Sequence, residues 1–269
     1  MDQLLDNTYL SFKYCNRWSG ILNLDGKYVA VRGFEKEISF IYSLDYLTHD
    51  IPVGLLAPSE SIAAFSKLFR LLKTINYPLR VVICDDSAAL RIALKRYYPK
   101  AKVQLCHNHF FQNLEEYLSL GTSDKFKPFF LRLKEAFRTK HHPLKREAKL
   151  RHLYYKYKEN YTLLGILVEV EKRKEELFAY KKIKHCPATN NMIKSFNSQL
   201  KGRFKTIKGF NSFRSAERFL NAWMIRRRTK SFTDCENPFK HLNGHPSLEK
   251  TLKKGHNWPT ILGLKTRSK

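Results

Sequence analysis

The chain has 269 residues, 43% hydrophobic and 13% aromatic, with a formal charge of +26. This apolar content can fill one large domain or two modest ones, which excludes wholesale disorder. No apolar run reaches membrane-spanning length, the N-terminus lacks signal-peptide order, and five scattered cysteines suit a reducing interior better than a disulfide framework.

The first third reads as sheet. ILNLDGKYVAV (residues 21–31) is rich in β-formers with rough alternation, although Asp25-Gly26 could itself be a hairpin turn that splits it. SFIYSLDYL (39–47) gives a second strand, and IPVGLLA, after a THD turn, a third. The short connections favour an antiparallel meander. The period then changes. SESIAAFSKLFRLLKTI places Ile62, Phe65, Leu68, Leu71 and Leu72 on one helical face, with Ser59 or Ser61 as N-cap. LRVVICDD follows as a buried strand, SAALRIALKRYY as a helix stopped by Pro99, and AKVQLC as a fifth strand. Three meandering strands followed by two crossover units define a mixed α/β order.

From His109 to Lys184 the pattern is helical throughout, and an all-helical insertion over residues 116–185 is expected. A further helix begins near Asn191, with Ile193, Phe196 and Leu200 as its apolar stripe, and NSFRSAERFLNAWMIRRR supplies another. The expected organisation is an N-terminal remnant (1–17), the first part of an α/β core (18–115), the insertion, and final core helices with a basic segment (186–230). A Pro-, Gly-, Asn- and His-rich tail (231–269) is expected to be loosely ordered.

The charge is lopsided. Residues 1–85 carry 9 basic and 9 acidic side chains, and the rest carry 41 against 15. Basicity confined to part of a chain points to a polyanion, and the aromatic-rich basic helices favour nucleic acid over a membrane surface. The bland alternative is a solvated, lysine-rich helical surface. The run KGRFKTIKGFNSFRSAERF is the expected DNA contact: Lys201, Arg203, Lys205 and Lys208, with Arg226, Arg227 and Arg228 further on, would meet phosphates. Phe204 and Phe210 could stack on unpaired bases or simply be core.

Asp25 lies in or beside the first strand and Asp85 ends the fourth. Carboxylates at the ends of neighbouring central strands can converge on Mg²⁺, which takes hard oxygen ligands. A turn aspartate and a helix cap are the bland readings, and residue types alone favour them.

Three blocks alter that balance. DDSAALRIALKRYYPKAKVQLCHNHFFQN resembles the second-aspartate block of DDE transposases of the bacterial insertion-sequence and Mutator-like group, whose Cys-x-x-His pair would here be Cys106 and His109. LNLDGKYVAVRG resembles the first-aspartate block, and ATNNMIKSFNSQLKGRFKTIKGFNSFRSAERFL the third, where the family usually reads Thr-Asn-Asn-x-x-Glu-x-x-Asn. The resemblance implies an RNase H-like mixed sheet flanked by helices, with the helical insertion before the last catalytic helix. It implies Mg²⁺ (or Mn²⁺) held by Asp25 and Asp85 with a third acid, two ions in the intact site, and metal-dependent DNA cleavage and strand transfer. The position of that third acid falls on Lys194. An ammonium cannot ligate a metal, so impaired catalysis is expected, and a catalytically inactive DNA-binding protein of the same descent is the alternative. Glu217 and Asp86 are poorly placed substitutes. Relatives carry a helix-turn-helix region before the first catalytic strand, so a truncated chain is expected. The implied partners are transposon ends and target DNA, with a homodimer on DNA and no membrane. A cytoplasmic, nucleoid-associated location follows if the host is prokaryotic. Zinc at Cys106 and His109 is not expected, since two further ligands would be needed; a buried thiol and a hydrogen-bonded histidine bracing the core are.

Overall fold

The computed structural model describes residues 5–138, 140 and 142–263. In chain order the elements are α1 (Asn7–Tyr14), β1 (Ile21–Val29), β2 (Ile38–Asp45), β3 (Gly54–Ala57), α2 (Ile62–Thr74), β4 (Val81–Cys84), α3 (Ala88–Tyr97), β5 (Lys102–Leu105), α4 (His107–Tyr117), α5 (Lys127–Ala136), α6 (Pro143–Tyr157), α7 (Tyr161–Lys172), α8 (Lys174–Leu177), α9 (Asn191–Ile207), α10 (Phe213–Thr229), α11 (Ser247–Thr251) and α12 (Trp258–Ile261). They form two compact units, residues 1–103 with 190–269 and residues 104–189. None of the described helices is long and apolar enough to cross a membrane.

The architecture is mixed α/β: a five-stranded sheet of order β3-β2-β1-β4-β5 with flanking helices. β1 runs unbroken through Asp25-Gly26, so no hairpin forms there. It pairs antiparallel with β2 (Asp25 opposite Tyr42) and parallel with β4 (Asn23 beside Ile83). Because side chains alternate across a strand, β1 serves two layers. Leu22 and Leu24 join Ile41 and Val82 beneath α2 and α3, where Phe65, Leu68, Phe69, Leu72, Leu90 and Leu94 are buried. Val29 joins Phe40, Tyr42 and Leu44 beneath α9 and α10, against Ile193, Phe196, Leu200, Leu220 and Met224. Asn23 and Asp25 share the α9 face by the same alternation. Ser61 caps α2 by accepting from the Ala64 amide, and Ser87, rather than Asp85 or Asp86, caps α3 through the Leu90 amide.

The unit of residues 104–189 is helical and has its own aromatic centre. His107, Phe111, Phe137 and Phe178 meet edge-on, and the Arg146 guanidinium lies 4.0 Å over the Phe178 ring.

Residues 231–263 correct the expectation of a loosely ordered tail, and its last six positions lie outside the described residues. Phe232, Phe239 and Leu242 are buried with the α9–α10 core, and Leu248 and Leu252 with the α2–α3 core. The backbone bridges Cys15 to Leu252, and the Asn16 and Arg17 amides donate to the Thr251 carbonyl. Pro, Gly, Asn and His shape the turns, while sparse apolar residues at wide spacing carry the packing, a pattern without periodicity to detect.

Candidate functional site

The site is built where α9 crosses β1. Asn190, Lys194 and Asn197 are spaced four and three residues apart, which sets them on one helical face. Asn190, at the N-cap, reaches across to the strand: its amide donates to the Leu24 carbonyl at 2.9 Å and its oxygen accepts from the Asn23 amide at 2.6 Å. One turn beyond Lys194, Asn197 donates to Asp25 Oδ2 at 2.8 Å and accepts from the Tyr42 hydroxyl at 2.9 Å. The two asparagines thus clip the helix to the strand at either side of Lys194. The Lys194 ammonium lies 3.2 Å from the same Asp25 oxygen, and the Gly26 amide donates to Asp25 Oδ1 at 2.9 Å.

Continuing the parallel register of β1 and β4 by two residues brings Asp85 beside Asp25. Burial, foremost, raises the Asp25 pKa; the Lys194 charge opposes that rise and the Asp85 charge adds to it. The structure therefore brings together all three positions expected to form the site: Asp25, Asp85 and Lys194. Asp86 is turned to Arg91 at 2.7 Å, and Glu217 is exposed on α10.

A fourth charged residue, Glu60, was not legible in the sequence. It leads into α2 and its Oε1 accepts from the Ser39 hydroxyl at 3.0 Å. A Cβ at Gly26 would collide with the Glu60 carboxylate, so the glycine lets that acid approach β1. Burial raises the Glu60 pKa first, and the charges of Asp25 and Asp85 raise it further. The segment Pro58-Ser59-Glu60-Ser61 reads only as a helix lead-in, and nothing local marks Glu60 as part of a charged cluster.

The basic positions divide. Lys201, Arg203, Lys205, Lys208 and Arg226 are exposed. Lys194, Lys201 and Lys205 follow helical spacing along α9, a stripe that leads away from the carboxylates over about 17 Å at 1.5 Å per residue, and Lys208 follows at the left-handed C-cap. Arg227 is half-buried, its guanidinium 4.5 Å from the Phe196 ring and 4.2 Å from that of Phe232. Arg228 corrects its assignment to DNA: it is fully buried and donates from Nε and Nη2 to the two oxygens of Asp50, each at 2.8 Å. Helical spacing places it one hundred degrees from its neighbours, and that turn carries it into the core. Phe204 and Phe210 pack against Phe219 and one another, the core alternative rather than a stacking platform. Cys106 is buried at the N-cap of α4, with His109 in the first turn of that helix.

The mixed α/β fold thus sets Asp25 in β1 and Asp85 just past the end of β4 beside a helix that carries a stripe of lysines. The family described as Transposase, Mutator family matches residues 45–232, and the chain belongs to that family. The match includes Asp85, Cys106, His109 and Lys194 and begins after β1, so Asp25 lies outside it. No curated protein matches the chain.

Proposed function

We propose that this chain is a Mutator-family transposase of the DDE type, RNase H-like in fold, in which Lys194 stands at the third acidic position and leaves a DNA-binding protein in place of a metal-dependent nuclease. The antiparallel meander joined to the parallel pair of β1 and β4 supports the fold reading, as does the placement of Asp25 in β1 and Asp85 just past the end of β4. The observation that carries the functional reading is the Lys194–Asp25 ion pair.

Asp25, with Lys194 against it, does not fit a divalent cation. Asp25 Oδ2 already accepts from an ammonium and an amide, and Oδ1 from a backbone N–H. A metal would have to displace the ammonium or sit against it, and like charges at short range in a partly desolvated cleft repel strongly. Lys194 thereby does locally what a cation would do: it offsets the Asp25 charge. The lysine stripe of α9 then offers a track for phosphates, with binding that weakens steeply with salt and carries little sequence information. Transposon ends and target DNA are the proposed partners, and a homodimer is the form proposed on DNA.

The test compares the chain with Lys194→Glu for Mn²⁺ binding by calorimetry and for nicking and joining of DNA, with Asp25→Ala added to the variant as a control. Binding and cleavage that appear with Lys194→Glu and vanish with the added Asp25→Ala are expected. Equal cleavage by the unmodified chain would overturn the reading.

A further inference from the structure

The face of α9 that turns away from the carboxylates borders a cavity of about 820 Å³, within the range that holds small ligands. Met192, Ser195, Gln199 and Arg203 line it from α9, and Trp223, Arg226, Arg227 and Lys230 from the end of α10. The turn after β2 contributes His49, and the segment after α10 contributes Phe232 and Phe239.

Two features mark this cavity as a built site. The first is His49, 3% exposed, whose Nε2 is buried without a hydrogen-bond partner among the described residues. Its ring rests against Phe239 at 4.4 Å and Phe232 at 5.3 Å. The turn that carries it is tied by several hydrogen bonds. Asp45 accepts from the Thr48 amide and hydroxyl, from the Ser19 amide and hydroxyl, and from the Tyr77 hydroxyl, while the His49 amide donates to the Asp45 carbonyl. A buried imidazole nitrogen with no partner is costly unless something supplies one. Burial and the Arg227 charge keep that imidazole neutral, so it has one donor or acceptor edge to offer.

The second is charge. Arg203, Arg226, Arg227 and Lys230 have no ion-pair partner among the described residues, and the acids on the cavity wall are Asp234 and Glu236. The Arg227 Nε is also buried without a hydrogen bond among the described residues. Cations at the rim, flat aromatic walls and the unpartnered imidazole edge inside match a ligand with a phosphate, a planar ring and a hydrogen-bonding edge.

We infer that this cavity takes one unpaired nucleotide of a DNA strand, the base held among His49, Trp223, Phe232 and Phe239 and the flanking phosphates met by Arg203, Arg226 and Lys230. The inference rests on the DNA-binding reading above and adds to it a second contact, on the opposite side of α9 from the lysine stripe. A base admitted here leaves its own stack and gains aromatic contact in exchange, which is least costly where it has no pairing partner.

The test measures anisotropy of the full chain with a perfect duplex and with the same duplex carrying one unpaired 2-aminopurine. A preference of about tenfold for the unpaired site is expected, of the size that stacking of one base supplies. His49→Phe, which keeps the ring and removes the nitrogen, and Lys230→Ala, at the exposed rim, should each reduce the preference. Free dAMP should compete for the unpaired site and inorganic phosphate should not. Equal affinity for the two duplexes, a preference that survives both substitutions, or competition by phosphate equal to that by dAMP would overturn the inference and leave the DNA-binding reading standing. Failure to bind either duplex at any salt concentration would overturn both.

Discussion

Lys194 and Asn197 converge on one oxygen of Asp25, at 3.2 and 2.8 Å, so this carboxylate is held by two donors from the same helix. Lys194→Met should remove the larger opposition to burial and raise the Asp25 pKa above its already raised value. A group with a raised acid pKa binds more protons folded than unfolded, so it lowers stability as pH climbs from 3.8 through the folded value. The cost of Lys194→Met should therefore be small in acid and about 1 kcal/mol at neutral pH, after discount for the solvent that screens the half-exposed lysine. Carboxyl-carbon NMR of Asp25 gives the pKa directly. An unmoved resonance would show that the pair does not form in solution.

Asn197→Ala removes one donor from Asp25 and the acceptor of the Tyr42 hydroxyl, both in a largely buried setting. Asp25 keeps the Lys194 ammonium and the Gly26 amide, and the Tyr42 hydroxyl keeps the Ile193 carbonyl at 3.4 Å, so each lost bond costs its net worth of about 0.5–1.5 kcal/mol. Urea denaturation should register a loss in that range. Asn197→Asp should do worse than alanine at neutral pH, because it sets a second acid against Asp25.

The buried pair of Arg228 and Asp50 sets a larger scale. Arg228→Met strands a carboxylate that keeps only the Ser247 and Thr251 hydroxyls. Breaking a buried pair by removing one partner costs about 3–5 kcal/mol, and replacing both partners by apolar residues recovers much of it. The double variant Asp50→Leu/Arg228→Met should thus be more stable than Arg228→Met alone.

Two buried histidines predict acid sensitivity. Burial chiefly lowers His49 to about 3 and His107 to about 4, from an ordinary value of 6.5. Below 6.5 the unfolded chain binds protons that the folded chain refuses, so stability falls as pH drops toward those values. Each histidine contributes a loss of about 2 kcal/mol by about pH 5. Thermal melts of His49→Phe and the parent across that range should show a shallower pH dependence for the variant.

Duplex binding should fall linearly on a plot of log affinity against log salt. Changing Lys201, Lys205 and Lys208 to alanine should reduce the slope by about 0.9 for each phosphate that is no longer neutralised. An unchanged slope would move the DNA track elsewhere on the surface.

Much of this was legible in advance. The five strands, the crossover helices and the apolar stripe of α9 follow periodicities set by local backbone geometry, and Asp25, Asp85 and position 194 stand in motifs of fixed spacing. Position on a helix face resisted reading: Arg226, Arg227 and Arg228 look alike in sequence, yet one is exposed, one lies against two rings and one is wholly enclosed. Glu60 and His49 were missed because their settings come from residues remote in the chain, Gly26 and Ser39 for the first, Phe232 and Phe239 for the second. The fold beyond residue 230 was missed for a related reason: anchors such as Leu248 and Leu252 pack on helices formed by the first hundred residues.

The Arg228 network also orders events in time. Its guanidinium reaches Asp50 across 178 positions of sequence and Asn7 across 221, and Thr251 joins Asp50 across 201. As a ribosome extends the chain, α1 and the meander emerge long before the cation that will neutralise Asp50. Until then that acid must stay hydrated, and the sheet face around it must stay open. Contacts of such long sequence separation make the final closure slow and exposed to aggregation. The nascent protein is therefore expected to depend on chaperones until α10 and α11 have been synthesised.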